Sequence, residues 1–272
     1  MNGDLAIEPV PGVAKPDPVV TIDGLGRSFG GLQAVDVDHL EIQRHTVTSI
    51  IGPNGAGKTT LFNLLTGFDK ADEGSWDLDG GPLVGIPSFQ VARKGMVRTF
   101  QLTKALSRLT VLDNMLVAAK DQPGEQLRGA ILGRWRHVEE ANTEKAMELL
   151  ERFGLDYMAY EYAGGCSGGQ RKLLEMARAL MVEPEVIMLD EPMAGVNPAL
   201  TQSLLSQITG LRDSGKTVVF VEHDMDVVQE ISDWVVVLAE GRVIAEGPPD
   251  VIARNPAVID AYLGAEHGEA AS

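Results

Sequence analysis

The sequence predicts an α/β protein: a mostly parallel sheet with an antiparallel β edge and a helical insert subdomain. Three observations predict it. Short apolar runs of strand length alternate with helical patterns along much of the chain, the signature of a sheet covered by helices. Val35 to Ile42 instead alternates apolar and polar residues, which marks an antiparallel strand with one wet face. From Thr110 to Arg152 the apolar residues recur at spacings of three and four, a helical period.

Each element can be read in order. Val19 to Ile22 opens an apolar run, and the alternating strand follows a Gly-rich turn. Val47 to Ile51 runs into Gly52 and a glycine-rich loop, after which Leu61, Leu64 and Leu65 share one face of a helix over Thr59 to Thr66. Met96 to Phe100 reads as a strand. The insert, about residues 102–182, carries the stripe Ala146, Leu149, Leu150 and Phe153 behind Glu139, Glu140, Glu144 and Lys145. Pro123-Gly124 and the glycines between Gly129 and Gly133 break it into several helices. A helix over Gln170 to Val182 leads to strands at Val186 to Leu189, Thr217 to Val221 and Trp234 to Ala239. Pro9, Pro11, Pro16 and Pro18 mark residues 1–18 as a mobile tail, and the small polar residues 264–272 read as a second one, leaving a folded unit of 19–263. No internal repeat is found.

With 272 residues the chain can bury a sizeable core, so a disulfide-stapled miniprotein is excluded. Its 44% apolar and 23% charged residues exclude wholesale disorder. The 39 acidic against 23 basic residues leave a net charge of −16, which repels phosphate backbones and argues against nucleic-acid binding. The single cysteine, Cys166, asks for no oxidising compartment and reads as a buried small side chain, so the cytoplasm is the expected location. Residues 1–18 lack the apolar core of an export signal. The longest apolar run, Trp234 to Ala239, falls far short of the roughly 18 residues a spanning helix needs, so a membrane role would be peripheral.

Gly52, Pro53, Asn54, Gly55, Ala56, Gly57, Lys58 and Thr59, followed by Thr60, fit the Gly-x4-Gly-Lys-Ser/Thr pattern, and they lie between a strand and a helix, where that pattern has meaning. The glycines let backbone N–H groups turn toward phosphate oxygens, and the helix N-terminus adds positive potential. Lys58 suits β/γ charge, and the Thr59 hydroxyl suits Mg²⁺. This is the cradle of a P-loop NTPase core. Val186 to Leu189 ends in Asp190-Glu191, the form of a buried strand delivering carboxylates to the sheet edge: Asp190 for magnesium through water, Glu191 as general base for the water attacking the γ-phosphate. No Asn is followed by Lys, so the guanine-reading Asn-Lys-x-Asp is missing and adenine is the better fit.

Ser167-Gly168-Gly169-Gln170-Arg171 lies between the cradle and the acidic strand, and with it the chain resembles the ATP-binding-cassette (ABC) ATPases. The resemblance implies that Ser167, Gly168, Gly169 and Gln170 contact the γ-phosphate held by a second subunit. It assigns Gln101 to magnesium and to the membrane-subunit contact, His223 to the γ-phosphate as switch histidine, and Phe29 to stacking on adenine, although Phe29 could equally be a small-core aromatic. The other histidines, His39, His45, His137 and His267, show no metal spacing and read as solvent-facing. Ala194-Gly-Val-Asn197 matches the loop that couples paired sites. Cys166 and Asn197 stand where the family commonly has Leu and Asp.

Within the family, Phe29 to Val35, Glu222-His223-Asp224-Met225, and Ala245 to Pro249 through Ala261 to Gly264 are similar to the larger ATP-binding subunit of branched-chain amino-acid uptake systems. That resemblance implies ATP and Mg²⁺ as cofactors. Its implied partners are a second ATPase subunit, identical or paralogous, two transmembrane permeases and, indirectly, an extracytoplasmic solute-binding protein, with the chain on the cytoplasmic face of the cell membrane. Two alternatives stay open at this point: an ABC ATPase for lipid or lipopolysaccharide export, and a soluble one acting on ribosomes or DNA.

Overall fold

The computed structural model describes residues 7–99, 106–120 and 135–269. In chain order these form β1 (Pro18–Phe29), β2 (Leu32–Gln43), β3 (Val47–Ile51), α1 (Lys58–Leu65), β4 (Glu73–Leu78), β5 (Gly81–Pro82), α2 (Ser88–Lys94) and β6 (Met96–Arg98). There follow α3 (Val111–Leu116), α4 (Trp135–Arg152), α5 (Gly168–Leu180), β7 (Val186–Asp190), α6 (Pro198–Asp213), β8 (Thr217–Val221) and α7 (Met225–Ile231). The chain ends with β9 (Trp234–Ala239), β10 (Arg242–Gly247), α8 (Pro249–Ile252) and α9 (Pro256–Glu269). The described residues divide into two compact units, one within Met1–Arg98, Glu185–Met193 and Leu205–Ser272, the other within Thr99–Pro184 and Ala194–Leu204.

The first unit holds both sheets. One is antiparallel, in the order β2-β1-β4-β5, and the other runs β10-β9-β3-β8-β7-β6. In the second sheet β6, β7, β8, β3 and β9 are parallel and only the β10 edge is antiparallel. Every residue of β3, β7 and β8 is buried, so neither face of these strands is wet and none needs to be polar. Between the sheets and α1 lies a core of Ile22, Leu25, Leu40, Ile50, Leu61, Phe62, Leu64, Trp76 and Trp234. The alternating strand β2 buries Val35, Val37, Leu40 and Ile42 as its period requires.

The tails depart from the sequence expectation. Lys15, inside the expected mobile tail, is buried, and its Nζ donates to Glu246 Oε2 at 2.7 Å and to the Val13 carbonyl at 3.2 Å. Glu246 also accepts from Trp234 Nε1 and from the Val13 amide, and the Lys15 ammonium lies 4.3 Å from the Trp234 ring centroid. Such burial of a charge is tolerated only with its partners in place. The Pro-rich segment is therefore anchored from within the body, which local composition cannot reveal. At the other end α9 continues to Glu269, through residues where a fraying tail was expected.

The second unit is helical. Ala146 and Leu150 of α4 and Phe153 just after it are buried, with Leu149 only partly so. Thr110 caps α3 in a capping box with Asp113. Among the described residues no helix is long and apolar enough to cross a membrane.

Candidate functional site

Strand register explains why distant sequence motifs meet. β8 lies between β3 and β7, and Val221 is level with Ile50 on one side and with Asp190 on the other. The residues that follow, Gly52 in the phosphate loop, Glu222-His223 and Glu191, therefore leave the sheet at one carboxyl edge, the usual site of ligand binding in such sheets.

The phosphate loop is built against its own scaffold. A Cβ on Gly52 (φ +150°) would lie 2.0 Å from the Leu238 carbonyl oxygen, and one on Gly57 (φ +98°) 2.2 Å from that of Ala34. These two glycines thus serve the packing of the loop on β9 and β2 as well as its curvature. Lys58 Nζ donates to the carbonyls of Gly52 (2.7 Å) and Pro53 (2.9 Å), so the ammonium closes the loop that carries it. Burial pushes the Lys58 ammonium below the ordinary lysine range, against the opposing fields of Glu191 and Asp190. A bound triphosphate would favour the charged form further.

Asp190 is buried and its Oδ2 accepts from Arg98 at 2.5 Å, while the same guanidinium donates to Asn63 Oδ1 on α1. Arg98, at the end of β6, thereby ties the acidic strand to the helix of the phosphate loop. Glu191 has φ +45°, a left-handed conformation that a non-glycine residue keeps only where its surroundings impose it. Its amide donates to the Val221 carbonyl at 3.1 Å. Two residues on, the Met193 amide donates to Glu222 Oε1 at 2.9 Å. Glu222 is 1% exposed, and its other oxygen accepts from the His223 amide at 3.3 Å. Burial pushes the Glu222 carboxyl up, more than the two amides hold it down. The His223 imidazole is 68% exposed, with Nδ1 3.7 Å from Glu222 Oε2.

Thr59 and Thr60 occupy the first turn of α1, with the Thr59 side chain exposed. Thr59 hydroxyl and Asp190 carboxylate are both hard oxygen donors, the type Mg²⁺ takes. Among the described residues no three His, Cys, Asp or Glu cluster as a metal cage, and magnesium held jointly with phosphates and water does not require one. Phe29 ends β1 with its ring 48% exposed and the Arg27 guanidinium 4.5 Å from its centroid, so it is no core aromatic. Gln101 lies outside the described residues. His39 is half-buried rather than solvent-facing, with Nδ1 2.6 Å from Asp23 and Nε2 3.4 Å from Glu41, a pairing across β1 and β2 that spacing alone does not show.

In the second unit Ser167 is the N-cap of α5. Its Oγ accepts from the Gln170 amide (3.2 Å), and Gln170 Oε1 accepts from the Ser167 amide (2.7 Å), a capping box. The same side chain donates from Nε2 to the Tyr157 hydroxyl at 2.8 Å. A Cβ on Gly169 would fall 1.5 Å from Leu200 Cδ2, which requires glycine at this turn unless Leu200 moves. Ser167→Ala is expected to cost about 1 kcal/mol of stability, lowering the melting temperature by roughly 2–4 °C; an unchanged calorimetric transition would contradict the cap. Asn197 Oδ1 accepts from the Leu200 amide at 3.0 Å at the start of α6, a capping role that Asn fills as well as Asp. Cys166 is buried, and burial pushes its thiol up despite Arg171 nearby. It should label slowly with a thiol reagent in the native protein and fast in urea; rapid native labelling would refute that burial.

Arg98 and Glu222 were given no role of their own from sequence, though both gave a signal: one is a charge ending a short apolar strand, the other a charge directly after one.

Comparison with known proteins shows the family. Residues 35–194 match the ABC transporter family model, and residues 242–268 match that of the branched-chain amino acid ATP-binding cassette transporter. The probable branched-chain amino acid transport ATP-binding protein LivG of Archaeoglobus fulgidus is 40% identical over 251 residues, covering 92% of this chain and 97% of that protein. A crystal structure of an ATP-binding cassette of an ABC transporter in its ADP conformation superposes with a TM-score of 0.79 at 36% identity, over 91% of this chain and 99% of the other. A dimeric ATP-binding cassette in a post-hydrolysis state with ADP and Pi gives 0.69 at 26% identity, over 85% and 98%. A glycine-rich loop, an acidic strand end and a histidine meet on one sheet edge, and a family match over more than half its length places this chain in the ABC transporter family of ATP-binding proteins.

Proposed function

We propose that the chain is the ATP-hydrolysing subunit of an importer for branched-chain or related amino acids. The observation that carries the hydrolytic part is the level register of Ile50, Val221 and Asp190, which brings cradle, acidic pair and histidine to one edge. The cargo reading is supported by the match at residues 242–268 and by the LivG relative.

In this reading Gly52 to Thr60 cradle the triphosphate with loop amides and Lys58, and Phe29 offers its exposed ring to adenine. Thr59, Asp190 and Gln101 would hold Mg²⁺, which when bound neutralises charge on the β- and γ-phosphates. Glu191 accepts the proton of the attacking water at its carboxylate, and His223, exposed beside it on the same edge, contacts the γ-phosphate. Ser167 to Gln170 of one subunit close over the nucleotide of another, so the working unit is a pair, either two copies or this chain with a paralogue. ATP shifts that pair toward the closed form because it binds there more tightly, and phosphate release resets it. The pair would sit on the cytoplasmic face of the membrane beneath two permease subunits, fed by a solute-binding protein.

Removing the chain from its host should abolish energised uptake of radiolabelled leucine, isoleucine and valine, and two multi-spanning permeases should co-purify with it from membranes. Intact uptake, or ribosomal proteins in place of permeases, would refute the importer.

A further inference from the structure

Glu222 is a carboxylate at this sheet edge, 1% exposed, that the reaction itself does not use. A buried carboxylate costs free energy unless its oxygens are satisfied, and both oxygens here are spent on backbone amides of two different loops. One loop follows β7 and carries Glu191 at φ +45°; the other follows β8 and begins with Glu222 itself, followed directly by His223. β8 lies beside β7 with Val221 level with Asp190, so Glu222, the first residue past β8, stands next to the loop that follows β7. The Glu191 amide is already bound to Val221, and the Met193 bond to Glu222 is the second tie of the same loop to the same strand end. Two ties on either side of a left-handed residue are what over-determines its conformation.

We propose that Glu222 is a positioning residue that locks the loop bearing Glu191 to the loop bearing His223, fixing base and switch histidine relative to each other. The inference rests on Glu191 being the base. A side chain in this role must accept two N–H bonds at once. Carboxylate does so; the amide of Gln keeps one acceptor and turns a donor on the other N–H; Ala removes both.

The test is steady-state ATP hydrolysis by the full chain with E222Q, E222A, E191Q and the double variant E191Q/E222Q. E222A should lower kcat about 100-fold and E222Q about 10-fold, with KM for ATP within a few-fold, because misplacement by about an ångström acts on the transition state rather than on nucleotide binding. Because Glu222 acts through Glu191, adding E222Q to E191Q should change kcat no further. E222Q is nearly isosteric and decides the matter if E222A does not fold. Turnover of E222Q within twofold of the unmodified chain, a loss confined to KM, or a full additional loss on the E191Q background would overturn the proposal. Normal turnover by E191Q would instead remove the base assignment beneath it, a distinct result.

Discussion

Glu191→Gln is expected to lower ATP turnover by about 10³-fold, roughly 4 kcal/mol of barrier, with ATP affinity unchanged. The amide keeps the shape of the carboxylate but takes no proton from the attacking water. The substitution leaves the backbone at φ +45° and the amide bond to Val221 in place, so the loop should hold its course. With closure intact and hydrolysis blocked, ATP-bound pairs should accumulate, visible as a dimer in size-exclusion chromatography with ATP in excess. Near-normal phosphate release by the folded variant would remove Glu191 from the reaction.

Lys58→Ala acts at the earlier step. The ammonium is a charged donor to phosphate, worth about 1.5–3 kcal/mol per hydrogen bond, and its removal should weaken ATP binding about 100-fold. The loop would also lose the two bonds by which Lys58 spans Gly52 and Pro53. Isothermal titration on the E191Q background separates affinity from turnover; an unchanged Kd there would contradict the cradle. The two substitutions therefore give opposite signatures, lost turnover with binding kept and lost binding itself.

Much of this site is legible in residue order. The stretch from Gly52 to Thr59 declares itself because phosphate binding needs glycines, a lysine and a hydroxyl at fixed offsets between a strand and a helix, all within one turn of chain. Asp190-Glu191 is visible because four apolar residues followed by two carboxylates have few other uses. The strands Thr217–Val221 and Trp234–Ala239 agree with their sequence limits to the residue, since parallel strands buried on both faces read as short, nearly continuous apolar runs. Ser167 was legible as a helix start, and the structure adds the reciprocal bond from Gln170 and the reach to Tyr157.

What sequence order alone did not supply depends on side chains meeting across long stretches of chain. Arg98 and Asp190 are joined through parallel strands, Lys15 and Glu246 through the packing of the N-terminal segment on β9 and β10, and Glu222 touches Met193 only because β8 lies beside β7. A run of prolines looks mobile until one lysine within it finds a buried carboxylate.

From its residues alone this chain determined its fold class, its phosphate chemistry and its membership among ABC ATPases, because those are written in contiguous motifs whose physics is local. The tertiary structure alone decided which strand stands between the Gly52 loop and Glu191, how Glu191 is held in a left-handed turn, and which charges are buried. Those depend on strand order and on the cost of leaving a buried charge without a partner, and neither is a property of any short segment.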